Sequence, residues 1–262
     1  MLKKLIKKSL FSKIDLTSHY QYLKLRAKGN EKHIFIACLP KSGSTFLANV
    51  IAELTGFKFI QFQPIRGTNE HNIDQGVLFS NLNKNTVTQL HLKPSESNKK
   101  LLESHNIKVV YLYRGILDSL RSFHRHILNE NDQWFMFTAT EDFETFSLEK
   151  QFDFIIDLIL PWYINFLTSW EKELKNGSLH VLPVDYYHFK TDNQQVIKEV
   201  LEFYDLNYTE EKINLALEQA YRKKDKLRFN DPKDNKTYHF NDEQMKKIKQ
   251  IIGYYPQYSI KI

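Results

Sequence analysis

The chain has a single cysteine, Cys38, so no disulfide can form within it, and no CxxC pair or Cys/His cluster has metal-ligand spacing. A disulfide-stapled fold is therefore excluded, and a reducing compartment is expected. Long apolar stretches are missing too: nothing approaches the roughly 20 residues needed to span a bilayer. The opening MLKKLIKKSLFSKI is interrupted by lysine too often to form the apolar segment of a signal peptide. These absences lead us to expect a cytoplasmic protein. Strong charge of one sign is also lacking. The net charge is +6, and the five lysines before Asp15 supply most of it, leaving a nearly neutral body that argues against a general nucleic-acid binder. Neither internal repeats nor low-complexity linkers occur.

What the chain does have is apolar content. With 262 residues, 42% hydrophobic and 14% aromatic, it can bury a sizeable core as one domain over residues 1–262, with residues 1–30 as a basic N-terminal extension. Strand patterns at HIFIACL (33–39), TVTQLHL (86–92), KVVYLYR (108–114) and LHVLPVD (179–185) are each followed by helical patterns. This order predicts an α/β fold, a three-layer sandwich with a mainly parallel central sheet flanked by helices. A helix is expected from about Ser44 to Leu54 with a stop at Gly56, and Asn241 with Gln244 three residues on reads as a helix N-cap. The second half of the aromatic stretch from Trp134 to Trp170 reads as one helix interrupted or kinked at Pro161.

The segment IACLPKSGSTFLANVI (36–51) joins a strand to a helix through Pro40, Lys41, Ser42, Gly43, Ser44 and Thr45. Such a turn aims backbone N–H groups and the positive end of a helix dipole at one point, which suits an anion. Lys41 adds a point charge and three hydroxyls add donors. The alternative is an ordinary exposed turn with an N-capping serine. The ATP-binding pattern G-x-x-x-x-G-K-[ST] does not fit, because no lysine follows Gly43 and no glycine stands five positions before it.

PKSGSTFL resembles the 5'-phosphosulfate loop of the sulfotransferases that use 3'-phosphoadenosine 5'-phosphosulfate (PAPS). VVYLYRGILDSLRSF resembles that family's 3'-phosphate segment, with Arg114 ending a strand and Ser122 eight residues later in the next helix. QLHLKP resembles the histidine-bearing strand end, and His91 precedes Arg114 by 23 residues, which matches the family's separation. The resemblance runs from about residue 33 to 250. It implies sulfuryl transfer from PAPS, yielding 3',5'-ADP, to an acceptor hydroxyl or amine by in-line displacement. Lys41 and His91 are the implied catalytic pair, with His91 as general base. Residues 42–45 would hold the 5'-phosphate, Phe46 would either stack on adenine in place of the family's tryptophan or sit in the helix core, and Arg114 and Ser122 would fix the 3'-phosphate. No metal is implied.

Departures from the family pattern are visible as well. Gln89 stands where some relatives have lysine. Tyr186, in VDYYHFKTD, would lie near the nucleotide, although Tyr187 and His188 replace the family's two acids. Only Arg228 survives of the C-terminal arginine-lysine-glycine triplet, and the dimerisation motif is unrecognisable, so the oligomeric state is open. Trp134, Phe135, Phe137, Phe143 and Phe146 fall where the family has acceptor walls, which suit a small molecule, a glycan or a lipid. Two other readings stand beside this one. A P-loop small-molecule kinase would use Asp185 as a magnesium-associated acid. A noncatalytic, membrane-associated nucleotide-binding protein would use residues 1–14 as an amphipathic helix on an anionic membrane.

Overall fold

The computed structural model describes residues 31–62, 72–129, 133–134, 137–140, 142–223 and 238–262. Residues 1–30 lie outside this set, and with them the N-terminal extension and the amphipathic segment 1–14.

Successive side chains of a strand point to opposite faces. In β1 (His33–Cys38), Phe35 and Ala37 enter one core layer, while Ile34, Ile36 and Cys38 enter the other. A strand apolar on both faces must be covered on both, which is the condition of a parallel α/β sheet. Four more strands complete it: β2 (Lys58–Phe59), β3 (Thr86–Leu90), β4 (Val109–Tyr113) and β7 (Val181–Asp185), in the order β2-β3-β1-β4-β7 and all parallel. A short antiparallel pair, β5 (Gln133–Trp134) with β6 (Phe137–Thr138), stands apart from it.

The helices are α1 (Ser44–Thr55), α2 (Gln75–Phe79), α3 (Glu96–Ser104), α4 (Ile116–Asn129), α5 (Leu148–Leu158), α6 (Leu160–Asn176), α7 (Tyr186–Thr191), α8 (Asn193–Phe203), α9 (Glu210–Arg222) and α10 (Asp242–Gly253). Apolar faces of α1, α8 and α9 cover one side of the sheet, and those of α3, α4, α5, α6 and α10 cover the other. This is the expected three-layer α/β sandwich.

The four expected strands and the helix after β1 are present, and α1 ends at Gly56, whose φ of 68° is a left-handed conformation that glycine adopts without strain. The Asn241 cap is a full capping box: Asn241 Oδ1 accepts from Gln244 N at 2.9 Å, and Gln244 Oε1 accepts from Asn241 N at 3.2 Å. Of the two expected forms at Pro161, an interruption or a kink, the interruption is present, placed two residues earlier. The helix breaks at Ile159, α5 and α6 meet at 41°, and Pro161 lies in the first turn of α6, where a missing N–H removes no helical bond. Pro183 is tolerated inside β7 because β7 is an edge strand. Among the described residues no single helix is long and apolar enough to cross a membrane.

Candidate active site

Ligands of open α/β sheets gather at the carboxyl ends of the strands, where connections leave a central strand in opposite directions. Here that strand is β1. The chain leaves it toward β2 and β3 on one side, and β4 and β7 lie on the other. Residues 39–43 follow β1, His91 follows β3, Arg114 follows β4 and Tyr186 follows β7, so four segments distant in sequence share one edge.

The turn after β1 is held by left-handed backbone at Lys41 (φ 64°) and Gly43 (φ 79°). Gly43 is the N-cap of α1 and supplies no side-chain cap, which sets aside the alternative of an N-capping serine. The first N–H groups of a helix have no acceptor within it, so those of Ser44 and Thr45 point out of the turn along the helix dipole. Ser42 departs from its expected role. Its N–H and its hydroxyl both donate to Leu39 O, at 3.3 and 2.6 Å, so this side chain ties the loop rather than facing a ligand. Thr45 is exposed, whereas Ser44 is buried with its hydroxyl on Cys38 Sγ.

Arg114 meets this turn from β4. Its Nη1 donates to Lys41 O at 2.8 Å, and its guanidinium carbon lies 4.2 Å from the centre of the Tyr186 ring. The same ring closes on the loop: a Cβ added to Gly43 would come within 3.0 Å of Tyr186 Cε2. Arg114 Nε is buried without a hydrogen-bond partner. Burial draws the guanidinium pKa down from its ordinary value, and the charge of Arg125, further along α4, acts in the same direction. The hydroxyl of Tyr163 is a second buried donor without a partner, and it senses the Arg114 charge. Ser122 is buried on α4, two turns beyond Arg114. Unpartnered donors around a buried cation suit an anion.

His91 is buried at the end of β3, and its Nδ1 lies 2.9 Å from Cys38 O. A carbonyl only accepts, so Nδ1 carries the proton and, in the neutral ring, the lone pair is on Nε2. Cys38 Sγ stands 3.3 Å from the same nitrogen and accepts from Gln89 Nε2 at 3.1 Å. Burial pushes the Cys38 thiol up to about 11, so the residue beneath the histidine is neutral. The exit from β3 is fixed by the Trp170 indole N–H, which donates to Leu92 O at 2.9 Å.

Phe46 is only 2% exposed, in an aromatic cluster with Phe189 and Tyr221 at ring separations of 6.1 and 5.1 Å, which is the helix-core place. Both oxygens of Asp185, the acid of the kinase reading, have partners: Oδ1 caps α7 by accepting from Tyr187 N at 2.8 Å, and Oδ2 accepts from Lys261 Nζ at 2.5 Å. Arg228 lies outside the described residues, as do the side chains of Trp134, Phe135 and Phe137. Phe143 is buried and Phe146 packs against the core.

The model of the sulfotransferase domain matches residues 31–253. The chain belongs to the sulfotransferase family. A curated relative, the flavonol 4'-sulfotransferase of Flaveria chlorifolia, is 27% identical over 264 residues, covering 86% of this chain and 79% of the relative. Among solved structures, mouse sulfotransferase SULT7A1 complexed with PAP superposes with a TM-score of 0.61 at 17% identity, covering 90% of this chain and 88% of that one. A retinol dehydratase in complex with androsterone and inactive cofactor PAP gives 0.54 at 16%, with coverages of 91% and 88%. In this sulfotransferase the tie from Arg114 to the Lys41 carbonyl, the Tyr186 stack and the contribution of Arg125 were not visible in the sequence. Arg125 had a signal, since it lies three residues after Ser122 on the same helical face.

Proposed function

We propose that this sulfotransferase takes PAPS as donor, releases 3',5'-ADP, and sulfates a hydroxyl or amine of a small-molecule acceptor. The observation that carries the donor assignment is Arg114, a buried guanidinium with an unpartnered Nε beside the uncapped N-terminus of α1. Those groups fit a ligand with a phosphate at each end of a nucleoside. Arg114 and Ser122 take the 3'-phosphate, while Lys41 and the N–H groups of Gly43, Ser44 and Thr45 take the 5' end. PAPS, when bound, supplies the sulfuryl group. Lys41 offsets the charge that develops on the leaving phosphate oxygen as the acceptor oxygen bonds to sulfur. His91 Nε2 accepts the acceptor's proton, and the Nδ1 bond to Cys38 O keeps the ring in the tautomer that can do so. A phenolic hydroxyl is one acceptor this chemistry serves, and the similarity to a flavonol sulfotransferase supports it; glycan and lipid hydroxyls meet the same requirement.

Competition binding tests the donor. A labelled 3',5'-ADP should be displaced by PAPS and not by Mg-ATP, and labelled sulfate should pass from PAPS to a phenol panel. Strong Mg-ATP binding with no response to 3',5'-ADP would overturn the reading. Tight PAPS binding without transfer to phenols, sugars, lipids or amines would leave a binding protein in place of an enzyme.

A further inference from the structure

Residues 254–262 lead from the last turn of α6 to the sheet edge on which the donor groups stand. Lys175 of α6 donates to Gln257 O at 2.5 Å and lies over the Tyr258 ring at 5.2 Å, and Ile260 packs against the core. Lys261 then makes three contacts with elements that carry donor groups, one of them its ammonium over the Tyr187 ring of α7 at 5.6 Å. Its carbonyl accepts the Ile116 N–H at 3.0 Å, at the first residue of α4, the helix that holds Ser122. Its ammonium donates to Asp185 Oδ2 at 2.5 Å, while the other Asp185 oxygen caps α7, whose first residue is Tyr186. The segment also passes Gly115, next to Arg114: a Cβ there would stand 3.7 Å from Ile262 O and 3.8 Å from Lys261 Cγ.

We infer that residues 260–262 form a strap that sets the donor site, with Lys261 as a positioning residue that links the start of α4 to the start of α7. The inference rests on the donor assignment above. Arg114 is read between those two helices: one carries the serine expected at the same phosphate, and the other carries the ring on which the guanidinium lies, 4.2 Å from its centre. Loss of the Lys261 ammonium frees Asp185 Oδ2, loosens the cap of α7, and lets Tyr186 drift from both Arg114 and Gly43. The strap does not reach His91, so acceptor chemistry at a saturated donor site is left alone.

The test measures 3',5'-ADP binding by calorimetry, with steady-state kinetics in PAPS and in acceptor, for wild type, Lys261→Met, Lys261→Arg, Asp185→Asn and the Lys261→Met/Asp185→Asn double variant. Asn retains an oxygen to cap α7 but removes the charge that holds Lys261. We expect Lys261→Met to weaken 3',5'-ADP binding and raise the KM for PAPS by about three- to fivefold, the scale of a partly exposed ion pair acting through a second residue. The kcat and the acceptor KM should stay within about twofold, Lys261→Arg should restore affinity, and Asp185→Asn should reproduce the loss with no further loss in the double variant. Wild-type affinity in Lys261→Met overturns the strap while leaving the donor assignment intact. Additive losses in the double variant overturn it too, because they would mean that Lys261 touches the ligand directly. If wild type itself fails to bind 3',5'-ADP, the donor assignment falls, and the strap falls with it.

Discussion

Replacing Arg114 by alanine asks whether this residue reads the 3'-phosphate. Its guanidinium donates to Lys41 O at 2.8 Å, lies on Tyr186, and leaves Nε buried without a partner. The first two contacts exist with or without ligand, so to first order they cancel from a binding difference. What is gained on binding is a charge-assisted bond from the unpartnered donor, about 1.5–3 kcal/mol, or about 10- to 150-fold in affinity. Burial lowers the guanidinium pKa, yet an arginine stays charged across any workable pH, so the contact does not titrate. Calorimetric titration with 3',5'-ADP and with 5'-AMP isolates this quantity, since the two ligands differ only in the 3'-phosphate. Wild type should prefer 3',5'-ADP by at least that factor, and Arg114→Ala should lose most of the preference while binding 5'-AMP within a few-fold of wild type. The variant also leaves Lys41 O without its donor, about 1 kcal/mol, so its melting midpoint should fall by only about 2–4 °C. A preference that survives in a folded Arg114→Ala protein would refute the assignment.

His91→Ala should leave 3',5'-ADP affinity within a few-fold of wild type and lower kcat by about 10²- to 10⁴-fold, as for loss of a general base; near-normal turnover on the physiological acceptor would remove His91 from that role. Phe46→Ala should act on the fold, costing about 3–5 kcal/mol in urea unfolding because it empties a buried aromatic cluster, whereas Phe46→Leu should keep nucleotide affinity; a selective loss of 3',5'-ADP binding in Phe46→Leu would return the ring to the adenine. Cys38 gives a pH dependence with a definite sign: the unfolded thiol ionises near 9 and the folded one near 11. Between those values the unfolded chain releases a proton that the folded chain keeps, so stability is full below pH 9 and falls as pH rises toward 11, by about 2–3 kcal/mol. Urea unfolding of wild type and Cys38→Ala across this range should show the extra loss in wild type alone, and parallel curves would contradict it.

The parts of the site legible in the sequence are those fixed by local rules. A strand apolar on both faces, a turn with Gly43 and an amphipathic helix follow one another between His33 and Thr55, and their geometry is nearly determined by that order. Likewise the Asn241 capping box is a contact between residues three apart. The choice between adenine and helix core for Phe46 was not legible in the sequence, because its ring partners Phe189 and Tyr221 come from α7 and α9, far along the chain. Ser42 was misread because a hydroxyl in a loop can turn inward or outward, and only the position of the Leu39 carbonyl decides. The meeting of Tyr186 with Arg114 depends on β7 lying beside β4, a topological fact that no short motif carries. Lys261 was invisible for the same reason, since its partners are 76 and 145 residues away.

The bond from Arg114 to the Lys41 carbonyl has a consequence for how the enzyme refuses the wrong donor. The backbone at Lys41 is turned into the left-handed region, φ 64°, and the carbonyl that this turn presents is the one Arg114 holds. The lysine proposed to act at the leaving group therefore keeps its backbone in place through the residue proposed to read the far phosphate. Because that bond stands while Arg114 Nε is still unsaturated, a donor without a 3'-phosphate meets a Lys41 backbone already in place and forfeits only the charge-assisted bond to the guanidinium. Discrimination should then appear in affinity and not in the maximal rate: a truncated donor supplied at saturation would react at close to the full rate.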